Sequence, residues 1–208
     1  MGIEDRKQRE KENMRRLILD AAREIFLEKG YYQTSIRTIA DKIEYSPGTI
    51  YLYFKEKDEI FLELHNEAFG QLLQQMAPLQ AVGDAFERLV AMGRIYMSFA
   101  LNNKDLYDLM FIMGAPMNML GEACPWTMGD RVFDHLVHTV KECQATGRMP
   151  GKDPLELSFT IWSGLHGMCA LYCRNRIGVM EHVDHKPVNE KEILEKSYGY
   201  YVDMLRNM

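Results

Sequence analysis

The sequence predicts an all-α protein: a small N-terminal head of three helices followed by a larger helical body. Two observations carry this. Apolar residues recur at three- and four-residue spacing along most of the 208 residues, and no clean β alternation interrupts them. In addition, two short helical stretches separated by the turn Glu44-Tyr45-Ser46 follow a longer one, the pattern of a helix-turn-helix.

Met14, Ile18, Ala21, Ala22, Ile25 and Phe26 line one face of a first amphipathic helix, which should stop at Lys29-Gly30. Thr34 or Ser35 caps a short second helix whose inner face is Ile36, Ile39, Ala40 and Ile43. Ser46 is a good N-cap and Pro47 fits the first helical position, so a third helix should run on to Phe54. Lys55, Glu56 and Lys57 mark a bend, and Asp58-Glu59 suit the first turn of a fourth helix reaching about Ala77. Further helices are expected at roughly 82–102, 104–113, 128–146, 154–177 and 190–206. The breaks between them are Asn102-Asn103, the loop 114–129, the turn 147–151 and the polar stretch 178–189. The expected division is a head over 1–57 and a body over 58–208.

Apolar residues make up 47% and charged residues 26%, the balance of a globular protein, and no run approaches 18 uncharged apolar residues. The opening MGIEDRKQREKENMRR is charged throughout, so neither a secretory signal nor a lipid anchor at Gly2 is expected. Cys124, Cys143, Cys169 and Cys173 have no finger-like partners and read as structural thiols. A cytoplasmic protein with no cofactor, no metal site and no membrane partner is the expectation. The net charge of −5 is unevenly spread: residues 6–55 carry 11 Lys/Arg against 7 Asp/Glu, whereas residues 56–208 carry 14 against 21. A basic first quarter on an acidic remainder suits a small head that meets an anion.

The third helix carries a dense set of polar groups for its length. Thr49 offers a hydroxyl and a methyl, Tyr51 and Tyr53 offer rings with hydroxyls, and the Ser46 and Gly48 amides sit at the helix N-terminus. Such groups bind phosphates, while methyls and rings meet thymine methyls. Arg37 is placed to reach a guanine edge and Lys57 to fix a phosphate; Thr34, Ser35 and Pro47 complete the candidate DNA face. The bland alternative is a three-helix bundle with half-buried tyrosines. Against it, Ile50 and Phe54, four apart, already supply the inward face.

Residues 15–62 resemble the DNA-binding domain of the TetR (tetracycline repressor-like) family. The likeness runs through ILDAAREIFLEKGY (18–31), TSIRTIA (34–40), SPGTIYLYF (46–54) and KEKDEIF (55–61). It implies that Arg37 reads a base, that Thr49 and Tyr51 lie on the recognition helix, and that Tyr53 and Lys57 touch backbone and phosphate. Where the family usually has Gly-Val in the turn, this chain has Glu44-Tyr45. A non-glycine residue in the left-handed cap costs roughly 1 kcal/mol if the dihedrals are kept.

The body is rich in methionine and aromatic residues. Met92, Tyr96, Phe99, Met110, Phe111, Met113, Met117, Trp126, Trp162 and His166 are its candidate effector residues, with the Pro- and Gly-broken loop 114–129 as a lid. The bland reading of each is core. Flexible thioethers and rings together suit a cavity for an apolar or aromatic small molecule. The Trp162-x-x-x-His166-Gly167 pattern, preceded by ATGRMP (145–150), resembles the WHG-type C-terminal domain of some TetR-like regulators. Helices 154–177 and 190–206 resemble the pairs that form the family's dimer interface. Leu165, Met168, Tyr172, Leu194, Tyr198, Tyr201, Val202 and Leu205 are the candidate contacts of a homodimer. A terminal helix that closes its own domain is the competing account.

The function expected is therefore a non-enzymatic, DNA-binding transcriptional regulator. It would be a repressor acting on a palindromic duplex, with its affinity set by a small effector. The alternative is a ligand-binding or interaction module on the same scaffold. An enzyme is disfavoured: His135 and His138 lack a third ligand, the polar segment 181–190 is turn-like, and no nucleophile elbow or phosphate loop is present.

Overall fold

Helix α1 (Ile3–Lys29) ends at Gly30, whose φ of 80° favours glycine and whose amide donates to the Phe26 carbonyl at 2.8 Å. Helix α2 (Ile36–Lys42) starts from a reciprocal cap: Ser35 Oγ accepts from the Thr38 amide at 3.1 Å, and Thr38 Oγ1 from the Ser35 amide at 3.0 Å. Helix α3 (Pro47–Tyr51) starts as expected, with Ser46 Oγ accepting from the Thr49 amide. It stops three residues short of Phe54. The Leu52 and Tyr53 amides donate three residues back, and the Tyr53 carbonyl is taken by the Arg15 guanidinium at 3.1 Å.

Helix α4 (Lys57–Met76) leads into a 3₁₀ turn, Ala77–Ala81. Helix α5 (Ala85–Asn102) is capped by Asp84, and α6 (Lys104–Tyr107) continues as a π-helical turn, Asp108–Ile112. The remaining helices are α7 (Thr127–Ala145), α8 (Pro154–Cys173), α9 (Val179–Asp184) and α10 (Glu190–Arg206). The computed structural model describes residues 2–114 and 127–208, and every regular element among them is helical. Most of the expected lid loop, with Met117 and Trp126, lies outside the described residues.

Two expectations need correction. The α8 helix ends at Cys173 rather than 177, because Asn175 adopts a left-handed φ of 53°. The stretch 178–189 is not wholly irregular, since α9 forms within it.

The chain divides into two compact units: Met1–Phe69 with the described part of Asp105–Thr127, and Gly70–Lys104 with Met128–Met208. In the first, α1, α2, α3 and the start of α4 close on Ile18, Ala22, Phe26, Ile39, Ala40, Ile50, Phe54 and Ile60, and Leu109 joins this core. Truncating a ring such as Phe54 in a core of this kind costs about 3–5 kcal/mol. In the second, α5 packs on α8 and α10 packs on α8.

Candidate DNA-binding head and effector-binding body

The turn between α2 and α3 keeps the geometry that usually asks for glycine. Glu44 has φ 61°, its amide donates to Asp41 O at 3.3 Å, and the Tyr45 amide donates to Ala40 O at 3.0 Å. These two bonds form a Schellman cap, here made with a residue that bears a β-carbon. The cap fixes the α2 end of the turn, Ser46 caps the α3 end, and Ile50 shares one core with Ile39 and Ala40.

On this frame the expected DNA-facing residues separate. Ser35, Arg37, Ser46, Gly48 and Tyr51 are exposed, and Pro47, Thr49 and Tyr53 are half-buried. Thr34 is not available: it is buried, and its hydroxyl donates to the Gly30 carbonyl at 2.8 Å. Lys57 is half-buried. Its ammonium donates to the Tyr31 and Thr34 carbonyls, each at 2.8 Å, and lies 4.0 Å from the centre of the Tyr31 ring. Burial lowers its pKa. Beside it, the Tyr31 hydroxyl donates to Asp58, whose pKa burial raises.

Three supporting groups were not legible in the sequence. Arg15 lies over the Phe54 ring at 4.3 Å, donates to Glu63 at 2.8 Å and holds Tyr53 O, so it ties the end of α3 to α1 and α4. His65 is buried, with Nε2 3.1 Å from the Met110 carbonyl, and burial lowers its pKa. Since a carbonyl only accepts, Nε2 carries the proton. Phe61, His65, Phe69, Phe111 and Tyr107 form a continuous run of ring contacts along α4 and α6. No local sequence pattern announces the contacts of Arg15 with Glu63, His65 with Met110 or Phe69 with Phe111, each more than forty residues apart.

In the second unit three of the expected effector residues meet. Trp162 Nε1 donates to the Tyr96 hydroxyl at 3.2 Å, and the Tyr96 hydroxyl lies 3.0 Å from His166 Nδ1. The tyrosine oxygen accepts from Trp162 and either donates to or accepts from Nδ1, so the three groups form one hydrogen-bonded chain. Burial lowers the His166 pKa. Met92 and Phe99 are buried on α5, with the Met92 sulfur 3.4 Å from the Thr139 hydroxyl, which also reaches the His135 carbonyl at 2.9 Å. Met110, Phe111 and Met113 belong instead to the first unit, where Met113 packs on the head's core.

A groove of about 560 Å³ opens in the second unit, lined by Gly70, Leu73, Gln74, Ala77 and Gln80 and by Met128, Arg131, Asp134, His135 and His138. Among the described residues, none of the expected effector residues lines it. Phe133, which meets Trp162 edge-on at 6.1 Å, lies two positions from Arg131 and from His135, on the opposite side of α7. Among the described residues no group of three His, Cys, Asp or Glu could hold a metal ion, and no helix is long and apolar enough to cross a membrane.

Residues 18–64 match the family model for bacterial regulatory proteins of the tetR family, and residues 89–187 match that of the tetracycline repressor-like C-terminal domain. The chain belongs to the TetR family. The fatty acid metabolism regulator protein of Bacillus subtilis is 44% identical over 59 residues, 28% of this chain and 30% of that protein. The regulator HbdR of Aromatoleum sp. is 48% identical over 56 residues, 26% of this chain and 24% of its own. The chain thus spans half or less of the length of these curated relatives.

Solved structures agree in fold over most of the chain. The fatty acid degradation regulator FadR from Bacillus halodurans superposes with a TM-score of 0.69 at 18% identity, covering 92% of this chain and 96% of that one. FadR from Bacillus subtilis in complex with stearoyl-CoA gives 0.68 at 22% identity, covering 91% and 96%.

In this TetR-family chain the residues expected at a dimer contact differ in exposure on the single chain. Leu165, Leu194, Tyr198, Val202 and Leu205 are buried within their own chain, and Met168, Tyr172 and Tyr201 are half-buried. Tyr198 covers Gly93 of α5 and Tyr201 covers Gly164 of α8, so the apolar stripe of α10 closes its own unit. The apolar side chains left exposed on α8 and α10 are Leu155, Phe159, Leu171, Tyr200 and Met204. Gly167 and Gly199 have open space where a β-carbon would stand.

Proposed function

We propose that this TetR-family regulator is a homodimeric, effector-controlled repressor that binds a palindromic duplex through α3. The observation that carries the reading is the Schellman-capped turn at Glu44. It presents Ser46, Gly48, Thr49 and Tyr51 on a short, firmly held helix with Arg37 exposed beside it. Helix N-terminal amides and hydroxyls meet phosphates, and Arg37 and Tyr51 meet base edges. Lys57 positions the loop before α2 and keeps one ammonium proton for a phosphate.

A two-fold dimer through the exposed apolar residues of α8 and α10 supplies two such heads, which makes the site palindromic. The effector is a small, largely apolar or aromatic molecule, held beside the Tyr96–Trp162–His166 chain with the hydrogen-bonded groups as its polar anchor. The fold shared with a FadR that holds stearoyl-CoA favours an apolar ligand. Effector binding favours a pose of the heads that fits the duplex less well, and a coupling of typically 1–3 kcal/mol is enough to change occupancy.

Selection of the purified protein against random duplexes tests this. Enrichment of one palindromic sequence is expected. Retention of duplexes without a shared sequence, or no retention, would overturn the reading.

A further inference from the structure

The groove in the second unit has two walls of different character. One is the end of α4 from Gly70 with the 3₁₀ turn, which presents Leu73, Gln74, Ala77 and Gln80. The other is a stripe of α7, Met128, Arg131, Asp134, His135 and His138, at the three- and four-residue spacing of one helix face. Helices that pack on one another do so through interdigitated apolar stripes. Here small residues and amides stand across about 560 Å³ of open space from charges. We propose that this groove binds a small zwitterion, a molecule carrying both a carboxylate and an ammonium group. The site is separate from the effector anchor, since Phe133, which meets Trp162, lies on the opposite side of α7.

The charges of the α7 wall decide the ligand class. The Arg131 guanidinium reaches the Met128 sulfur at 3.8 Å and, among the described residues, no carboxylate. Asp134, one turn on, has no cationic partner among them either. Elsewhere in this unit such groups are matched, Arg88 with Glu142, Arg206 with Glu87 and Lys196 with Glu192. An anion alone would satisfy Arg131 and be repelled by Asp134, and a cation alone would do the reverse. A ligand bearing both charges satisfies the two together. Residues three apart on a helix have β-carbons about 5–6 Å apart, which sets the separation of the ligand's charges. His135, Gln74 and Gln80 can each donate or accept, so they serve either end. His138 lies 3.6 Å from Glu142, which Arg88 already holds, and stays within reach of the groove. Leu73, Ala77 and Met128 give the short chain between the charges an apolar surface.

Three probes of equal chain length test this: γ-aminobutyrate, butyrate and butylamine, each titrated into the full-length protein. The imidazole C–H signals of His135 and His138 are followed by NMR and assigned through His135→Gln and His138→Gln. γ-Aminobutyrate is expected to shift both signals and to bind about fivefold more tightly than butyrate or butylamine, the worth of one partly exposed ion pair. In Arg131→Gln the advantage over butylamine should vanish, and in Asp134→Asn the advantage over butyrate, with circular dichroism unchanged in both. The Trp162 indole N–H signal should stay in place. Equal affinity for the three probes, no shift of either imidazole signal, or a preference that survives both substitutions would overturn the proposal. A shift at Trp162 in place of the histidines would put the zwitterion at the effector anchor and overturn the groove as its site. None of these outcomes bears on duplex selection, so the DNA-binding reading is tested separately.

Discussion

Tyr198 lies across Gly93 so closely that a β-carbon on the glycine would fall 2.4 Å from the tyrosine hydroxyl. The hydroxyl donates to the Val90 carbonyl at 2.6 Å, and burial pushes its pKa up to about 12. This contact locks the terminal helix onto α5. Gly93→Ala is therefore expected to destabilise the protein by about 1–3 kcal/mol, because ring and hydrogen bond must both move. Tyr198→Phe should lose only about 1 kcal/mol. Urea unfolding monitored by circular dichroism checks both; equal stability of Gly93→Ala and wild type would contradict the packing.

Glu44 holds a left-handed conformation that a glycine adopts freely. Glu44→Gly should raise stability by roughly 1 kcal/mol, less the extra entropy of glycine in the unfolded chain, and should tighten duplex binding by removing a negative charge. Thermal unfolding and a binding titration read the two effects separately. Ser35→Ala, which removes the α2 cap, should cost about 1 kcal/mol.

Caps, turn and inward faces of the head were readable because they are local: Ser35, Glu44, Ser46, Pro47 and the Ile50–Phe54 pair act within a few residues of themselves. What escaped is tertiary. The α10 stripe has the same spacing whether it faces a partner or its own α5 and α8, and only the small residues at 93 and 164, far off in sequence, decide between them. Met110 and Met113 likewise carry no mark of the unit they join.

Stability should fall in mild acid. His65 and His166 have folded pKa values below the ordinary 6.5, both chiefly through burial. Their contribution is complete above about 6.5, where both states are neutral. It is lost as pH falls toward the depressed folded values, because the unfolded chain takes up protons that the folded chain refuses. His65→Gln, which keeps a donor for Met110 O but does not titrate, should flatten the decline in melting temperature between about pH 7 and pH 5. A decline as steep as in wild type would contradict the assignment to His65.

Among apolar residues of α8 and α10, burial separates two classes. Phe159→Asp or Met204→Asp should yield a folded monomer in light scattering, since both side chains are exposed on the single chain. Leu194→Asp should unfold the second unit instead, because it places a charge in a core. A fully dimeric Phe159→Asp/Met204→Asp double variant would move the interface elsewhere.

The most direct measurement is fluorescence anisotropy with the selected palindrome and with a duplex in which one half-site is scrambled, for wild type and for Arg37→Ala/Tyr51→Ala. Two chains per palindrome are expected, with at least a hundredfold loss on scrambling or on the double substitution, order-of-magnitude values for contacts of about 1–3 kcal/mol each. The variant's circular dichroism should be unchanged. Equal affinity for both duplexes, or a double variant that binds like wild type, would contradict recognition through α3.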